Sequence, residues 1–307
     1  MTLSGLFVPL ITPFGADGAV ALPALESLAR DVLDAGATGL VALGTTGEPS
    51  SLDPDERQAV VDLIARVCRE RQAPLIVGGD HVAGLRRIDD ATAALYLVPP
   101  FLRPGERGVL AHFATLAAAS PVPIVAYHVP YRTGQALGAD ALRDLAAIPG
   151  VAGIKYAVGG IDETTVRFLA DPPPGFAVLG GDDLFVSPLL ALGAHGGILA
   201  SAHLATAGFA ELIAAWRAGD ATRARATGHR LAALSAALFA EPNPTVIKAV
   251  LHEHGRIPTP AVRMPLLPAQ PDTLDTALRA AMGATPAAAA RSFSAVTRAE
   301  VSSPSRT

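Results

Sequence analysis

The chain has 307 residues, half of them hydrophobic, which is enough to bury the core of one large α/β domain with a smaller appendage. Its formal net charge of −4 and the lack of a basic stripe argue against nucleic acid as a partner. No run of about 18 uncharged apolar residues occurs, so no membrane span is expected. The N-terminus lacks the basic stretch of a signal peptide, and a single cysteine permits no intrachain disulfide, so we expect a cytoplasmic protein.

Short apolar runs recur along the chain, each followed by a polar or helical stretch. There are eight of them, at residues 6–10, 39–43, 74–77, 94–98, 123–127, 151–155, 176–179 and 196–200. Runs in which apolar and polar residues do not alternate are typical of parallel strands that are buried on both faces. Most of the runs are separated by stretches in which apolar residues recur at the spacing of a helix. Asp53-Pro54-Asp55-Glu56 predicts the capped start of one such helix. The repeats predict an α/β fold, a (β/α)₈ TIM barrel over residues 1–205.

An open doubly wound sheet is the alternative fold, but no G-x-G-x-x-G follows the first run. The stretch at residues 78–93 leaves room for only two or three helical turns between the third and fourth strands, so we expect a short, irregular crossover there. After the barrel, helix-period patterns predict a small helical C-terminal domain over residues 206–285. Residues 286–307 are poor in periodic apolar positions, which predicts a disordered tail.

One lysine stands where a barrel enzyme has its active site, at the C-terminal end of a strand. Lys155 ends the sixth apolar run, and burial among apolar residues disfavours the charged form of an amine, which frees it to attack a ketone. The alternative is a barrel-mouth lysine paired with Asp182 or Asp183. Tyr127 ends the neighbouring fifth run, where a phenol could transfer protons or could be an ordinary core residue.

Further polar groups follow the second and fifth runs. Gly44-Thr45-Thr46-Gly47 offers hydroxyls and backbone N–H groups suited to a carboxylate, or it is a plain glycine-rich turn. Arg132 has the forked donors that grip a carboxylate, or it is a surface arginine. The histidines are scattered, and neither a metal site nor a nucleotide fingerprint is convincing, so no metal and no cofactor are expected.

Together these residues resemble the dihydrodipicolinate synthase / N-acetylneuraminate lyase family of class I aldolases, and are closest to its synthase branch. The resemblance runs from about Gly5 to Pro268 and rests on motifs in barrel order. These are Gly44-Thr-Thr-Gly-Glu48, Tyr127-His-Val-Pro-Tyr-Arg-Thr-Gly134, Gly153-Ile-Lys155, Gly180-Gly-Asp-Asp183, Glu241-Pro-Asn-Pro-Thr-Val-Ile-Lys248 and Arg263-Met-Pro-Leu.

The resemblance implies a lyase in which Lys155 forms an imine with pyruvate or another 2-oxo acid, without a metal or cofactor. By the same resemblance Tyr127 is the acid/base, and Thr45 and Thr46 bind the keto-acid carboxylate, with Thr45 in the proton relay and Gly44 beside it. Ile198 supplies a backbone contact near the imine. Arg132 matches the arginine that holds the carboxylate of an aldehyde partner, aspartate semialdehyde, in the lysine-biosynthesis branch.

The resemblance also implies a homodimer or homotetramer. Synthases of the family carry a tyrosine that reaches in from a neighbouring subunit, and Phe101 stands at that place here, so the effect on turnover is open. Pro54, Arg57 and Pro100 occupy positions that bind inhibitory lysine in some relatives, so lysine should not inhibit. The alternatives are a 2-oxo sugar-acid aldolase or dehydratase of the same family, or a member with weakened or lost catalysis.

Overall fold

The computed structural model describes residues 2–79 and 91–284. Eight parallel strands form one closed barrel in chain order. Their bounds are β1 Gly5–Pro9, β2 Gly39–Ala42, β3 Leu75–Gly78, β4 Ala93–Leu97, β5 Ile124–His128, β6 Val151–Tyr156, β7 Ala177–Gly180 and β8 Gly196–Ile198. The (β/α)₈ TIM barrel is therefore confirmed, and each strand overlaps the apolar run that predicted it.

Helices surround the barrel and continue after it. The first eight are α1 Leu22–Asp34, α2 Pro54–Arg71, α3 Gly105–Ala119, α4 Pro130–Thr133, α5 Ala139–Ala146, α6 Glu163–Leu169, α7 Val186–Ala191 and α8 Ala202–Arg217. They are followed by α9 Ala221–Leu238, α10 Thr245–Glu253 and α11 Pro271–Ala284. The predicted start of α2 is confirmed, because the Asp53 carboxylate accepts from the Glu56 N–H at 2.8 Å and Glu56 accepts from the Asp53 N–H at 3.1 Å.

The barrel has two apolar layers, as the pleat of buried strands requires. One lies inside the barrel and includes Phe7, Val41, Ile76, Tyr127 and Ile198. The other lies between the strands and the helices. On β6, Ile154 and Tyr156 belong to that outer layer, so the Lys155 side chain between them points into the barrel.

The C-terminal helices pack on the barrel through a third apolar cluster. Leu234 and Leu238 of α9 and Val250 of α10 meet Ile11 and Leu28 of the barrel there. The predicted boundary after residue 205 falls inside α8, at Ala205, whose backbone is non-helical (φ −143°, ψ 44°). The division into a barrel over 1–205 and a helical domain over 206–285 stays a prediction.

Two predictions fall on parts of the chain outside the described residues. These are most of the short crossover within residues 78–93 and the disordered tail over residues 286–307. Among the described residues, no helix is both long and apolar enough to span a membrane. The single cysteine, Cys68, is buried in α2.

Candidate active site

Lys155 and Tyr127 lie side by side on neighbouring strands. The β5–β6 register pairs the two residues directly, and both are almost fully buried. The Lys155 Nζ lies 4.2 Å from the centroid of the Tyr127 ring. Within the part of the chain that the structure describes, this amine makes no ion pair, so the alternative pairing with Asp182 or Asp183 is not observed. The amine therefore lies against the Tyr127 ring.

Space for the lysine depends on Gly181, which follows β7. A Cβ atom at this position would lie 2.8 Å from both the Cγ and the Cε atoms of Lys155. Carbon atoms in contact normally stand about 3.5–4.0 Å apart, so any larger residue would displace the lysine. The absence of a side chain at Gly181 therefore lets the Lys155 side chain pass β7.

The two threonines after β2 have different surroundings. A turn of 3₁₀-helix at Thr45–Gly47 leaves Thr45 exposed and buries Thr46. The Thr46 hydroxyl accepts a hydrogen bond of 2.9 Å from the Asn243 side chain, which arrives from the segment before α10. The sequence included Asn243 in a motif but assigned it no role, because a residue separation of 197 conceals the contact.

A narrow cavity of about 20 Å³ lies at the C-terminal mouth of the barrel. Among the residues that line it are Thr45, Thr46, Tyr127, Arg132, Lys155 and Ile198. Gly44 lines an adjoining cavity of about 60 Å³ together with Thr45 and Tyr127. The structure thus brings together six of the seven predicted site residues and places Gly44 beside them, while their roles stay predictions.

Asp183 is a further acidic group in this cavity. Its carboxylate is buried and accepts a 2.5 Å hydrogen bond from the Ser201 N–H. Burial raises the pKa of Asp183 to about 6, although the Ser201 hydrogen bonds and the charge of Lys155 act in the opposite direction. From the sequence, Asp183 could be identified only as a motif residue and as one of two alternative partners of Lys155, since nothing in the pattern distinguishes this buried aspartate from the half-buried Asp182 beside it.

A wider cleft of about 570 Å³ adjoins the cavity, and Arg132 lines both. In the cleft the Tyr131 hydroxyl donates to Asp182 at 3.0 Å, and the Gly159 N–H donates to the other oxygen of that carboxylate at 2.6 Å. Burial and the Asp182 charge raise the pKa of Tyr131, so the phenol stays a donor. The Arg132 guanidinium lies 5.9 Å from the Tyr131 ring centroid and is exposed to incoming anions.

The loop after β4 carries the residue that departs from the synthase pattern. Phe101 is 88% exposed and Leu102 is 81% exposed, and Phe101 has a left-handed backbone (φ 68°). Two adjacent apolar side chains in solvent are unusual for a loop tip. In the described residues no group of three or more His, Cys, Asp and Glu is placed to hold a metal ion.

Comparison with known proteins places the chain in a family. Residues 2–283 match the model of the dihydrodipicolinate synthetase family. The 4-hydroxy-tetrahydrodipicolinate synthase 2 of Clostridium acetobutylicum is 35% identical over 276 residues, which cover 87% of this chain and 96% of that protein. The synthase of Neisseria meningitidis serogroup B is 34% identical over 274 residues, covering 87% of this chain and 93% of its own.

Solved structures give the same answer. The chloride-inhibited dihydrodipicolinate synthase of Acinetobacter baumannii, solved in complex with pyruvate, superimposes with a TM-score of 0.86 at 33% identity. The match covers 92% of this chain and 99% of that one. The chain therefore belongs to the dihydrodipicolinate synthetase family and is a lyase of the class I aldolase type.

Proposed function

We propose that the protein is a Schiff-base lyase of the 4-hydroxy-tetrahydrodipicolinate synthase type, which condenses pyruvate with aspartate semialdehyde. The observation that carries the proposal is the Lys155 amine, which is buried, makes no ion pair among the described residues, and lies 4.2 Å from the Tyr127 ring centroid in a cavity that also holds Thr45 and Thr46. The proposal agrees with the names of its relatives.

The chain contains only two lysines, which sharpens the choice of nucleophile. Lys248 is fully buried, its Nζ is 2.8 Å from a Glu48 carboxylate oxygen, and it does not line the cavity at the barrel mouth. Burial lowers the pKa of Lys248 to about 8, although the Glu48 carboxylate acts in the opposite direction. Lys155 lines a cavity at the mouth of the barrel. An amine must reach the carbonyl carbon that it attacks, and Lys155 is the lysine that lines this cavity.

The chemistry follows from these positions. The Lys155 nitrogen bonds to C2 of pyruvate, and the resulting carbinolamine loses water to give a protonated imine. That cation withdraws electrons, so C3 loses a proton and the enamine attacks the aldehyde carbon. Tyr127 and Thr45 transfer the protons, and Thr46, Gly44 and the backbone at Ile198 bind the keto-acid end.

The wider cleft is the proposed binding site of the second substrate. Arg132 can take a carboxylate through two parallel hydrogen bonds. The Asp182 carboxylate accepts from Tyr131 and Gly159 but has no cation partner among the described residues, so it can take an ammonium group. An aldehyde that carries both groups, as aspartate semialdehyde does, fits this pair better than an uncharged sugar chain.

Phe101 sets the proposed enzyme apart within the synthase branch. A phenyl ring cannot transfer a proton, so the relay consists of Tyr127 and Thr45 unless a partner subunit supplies another group. We infer slower turnover than a tyrosine at this position would give. The homodimer or homotetramer and the cytoplasmic location also stay predictions, and the exposed Phe101-Leu102 pair supports an assembly that covers it.

The first experiment is trapping with borohydride in the presence of pyruvate, followed by peptide mass spectrometry. We expect modification of Lys155, none on Lys248, and none in Lys155→Ala. Modification at Lys248, or no modification with pyruvate in the wild-type protein, would refute the assignment.

The second experiment concerns the aldehyde. We expect Arg132→Ala to raise KM for aspartate semialdehyde by about 10–10²-fold, because a charge-assisted hydrogen bond contributes roughly 1.5–3 kcal/mol. The same variant should trap pyruvate at the wild-type rate. Equal losses in both measurements would mean that Arg132 maintains the structure of the site and does not select the aldehyde.

A further inference from the structure

A buried ion pair lies beneath the threonine loop, outside the cavity that holds Lys155. The Lys248 Nζ of α10 is 2.8 Å from a Glu48 carboxylate oxygen, and the two side chains are 0% and 3% exposed. Glu48 has a left-handed backbone (φ 53°), which residues other than glycine rarely adopt. Neither residue lines the catalytic cavity, so the proposed chemistry gives them no direct part.

Each charged group of this pair has further partners inside the protein. The Lys248 ammonium also donates to the Thr12 carbonyl oxygen at 2.8 Å and lies 4.0 Å from the centroid of the Phe14 ring. The second Glu48 oxygen accepts from the Arg263 N–H at 2.8 Å. The pair and its partners therefore bring together four parts of the chain, around residues 12–14, 48, 248 and 263.

The pair connects two segments that carry polar groups of the active site. Glu48 follows Thr46 by two positions, and Lys248 follows Asn243 by five, so the ion pair and the Asn243–Thr46 hydrogen bond join the same two segments. The Thr12 hydroxyl also donates to the Gly47 carbonyl oxygen at 2.7 Å. The position of the Thr46 hydroxyl thus depends on the spacing that the ion pair sets.

Stability alone does not explain such a pair. Removing two charges from water is costly, and replacing a buried ion pair by apolar groups of similar volume is often neutral or stabilising. The composition of the chain also indicates that a lysine at this position has a specific role. The chain has 24 basic residues and only two of them are lysines, so Lys248 is an ammonium in a chain that otherwise relies on arginine. A compact ammonium fits between two oxygen acceptors where a planar guanidinium does not.

We propose that Lys248 and Glu48 are positioning residues, which hold Asn243 in hydrogen-bonding contact with Thr46 and so aim the threonine hydroxyls at the bound 2-oxo acid. The proposal rests on the proposed function for the identity of that ligand. The geometry of the loop itself does not depend on it. The two ideas can therefore be tested separately.

The test uses the double variant Glu48→Gln/Lys248→Met, which removes both charges together and leaves no lone buried ion. We expect the rate of pyruvate trapping by borohydride to fall between about 10-fold and 10²-fold, since a displacement of about 1 Å at a reactive site costs up to 10²-fold. The denaturant midpoint should equal or exceed that of the wild type. The matched control is Glu211→Gln/Arg223→Met, which removes an exposed ion pair of 2.8 Å between α8 and α9 and should leave trapping unchanged.

A third variant separates positioning from general damage. Asn243→Ala should slow trapping, and combining it with the double variant should add little, because all three residues act through the Thr46 hydroxyl. Wild-type trapping by the double variant, or losses that multiply in the triple variant, would overturn the proposal.

Hydrogen–deuterium exchange gives a readout without any ligand. The peptide at residues 44–52 should exchange faster in the double variant and at the wild-type rate in the control. If the wild-type protein traps no pyruvate, the proposed function fails and the exchange comparison still decides the positioning role. Unchanged exchange in that peptide would refute the positioning role.

Discussion

The glycine beside Lys155 offers a direct test of how closely the site is fitted around the nucleophile. In Gly181→Ala the added methyl group would stand 2.8 Å from the Cγ and Cε atoms of Lys155 and 3.0 Å from the Ala157 Cβ atom. Carbon contacts need about 3.5–4.0 Å, so the lysine must move by roughly 0.7–1.2 Å. The Gly181 backbone is not in the left-handed region, so alanine adds crowding and no strain of the main chain.

A displacement of about 1 Å at a reacting group costs up to about 10²-fold in rate. We therefore expect Gly181→Ala to trap pyruvate with borohydride roughly 10²-fold more slowly than the wild type. The control is Gly180→Ala, which adds the same methyl group one residue earlier. Its Cβ atom would meet Val186 and Leu189 at 3.1 and 3.2 Å, on the helix side of the barrel.

The control should lower the denaturant midpoint and leave trapping close to the wild-type rate. If Gly181→Ala traps pyruvate as fast as the wild type, Lys155 remains reactive after its side chain is displaced. The idea that the site is closely fitted around Lys155 is then wrong. If both variants lose trapping in proportion to their loss of stability, the effect belongs to folding and not to the position of the amine.

Three further predictions concern acid stability, the proton relay and regulation. Burial lowers the pKa of His203 from 6.5 to about 4, so the unfolded chain binds more protons between these values and stability is lost as pH falls through them. Denaturant titrations should show that His203→Gln removes roughly 2.5 kcal/mol of the acid destabilisation between pH 7 and pH 4.5; an equal pH dependence in both proteins would contradict this. Phe101→Tyr should raise kcat for condensation by up to roughly 10²-fold with an unchanged denaturant midpoint, since the added phenol restores an acid/base group on a side chain that is 88% exposed; an unchanged kcat would show that this loop does not reach a site. Lysine at millimolar concentration should leave the condensation rate unchanged in a coupled assay, because Pro54, Arg57 and Pro100 lack the groups that hold it in some relatives; inhibition would show a lysine site built from other residues.

The sequence by itself determined the barrel and the approximate place of its chemistry. Eight apolar runs in which polar residues do not alternate are typical of parallel strands that are buried on both faces. Eight such strands with helices between them fit a closed barrel. Because strand ends at one face of a barrel meet, Lys155 and Tyr127 could be placed together from their positions in two neighbouring runs. The capping box of Asp53 and Glu56 could also be predicted from the sequence, since both partners lie within one helical turn.

Other features were decided only when the chain folded. The buried Thr46 hydroxyl finds its partner in Asn243, and the buried Glu48 carboxylate finds its partner in Lys248. These partners are 197 and 200 residues apart in the chain. The last helix, α11, buries Ala277, Ala281 and Ala284, and alanines give too little contrast with their neighbours to show a helical face in the sequence. The spacing of apolar residues along the chain indicates the secondary structure of each segment and which of its faces is buried. The partners of a buried polar group are instead set by the packing of segments that are distant in sequence.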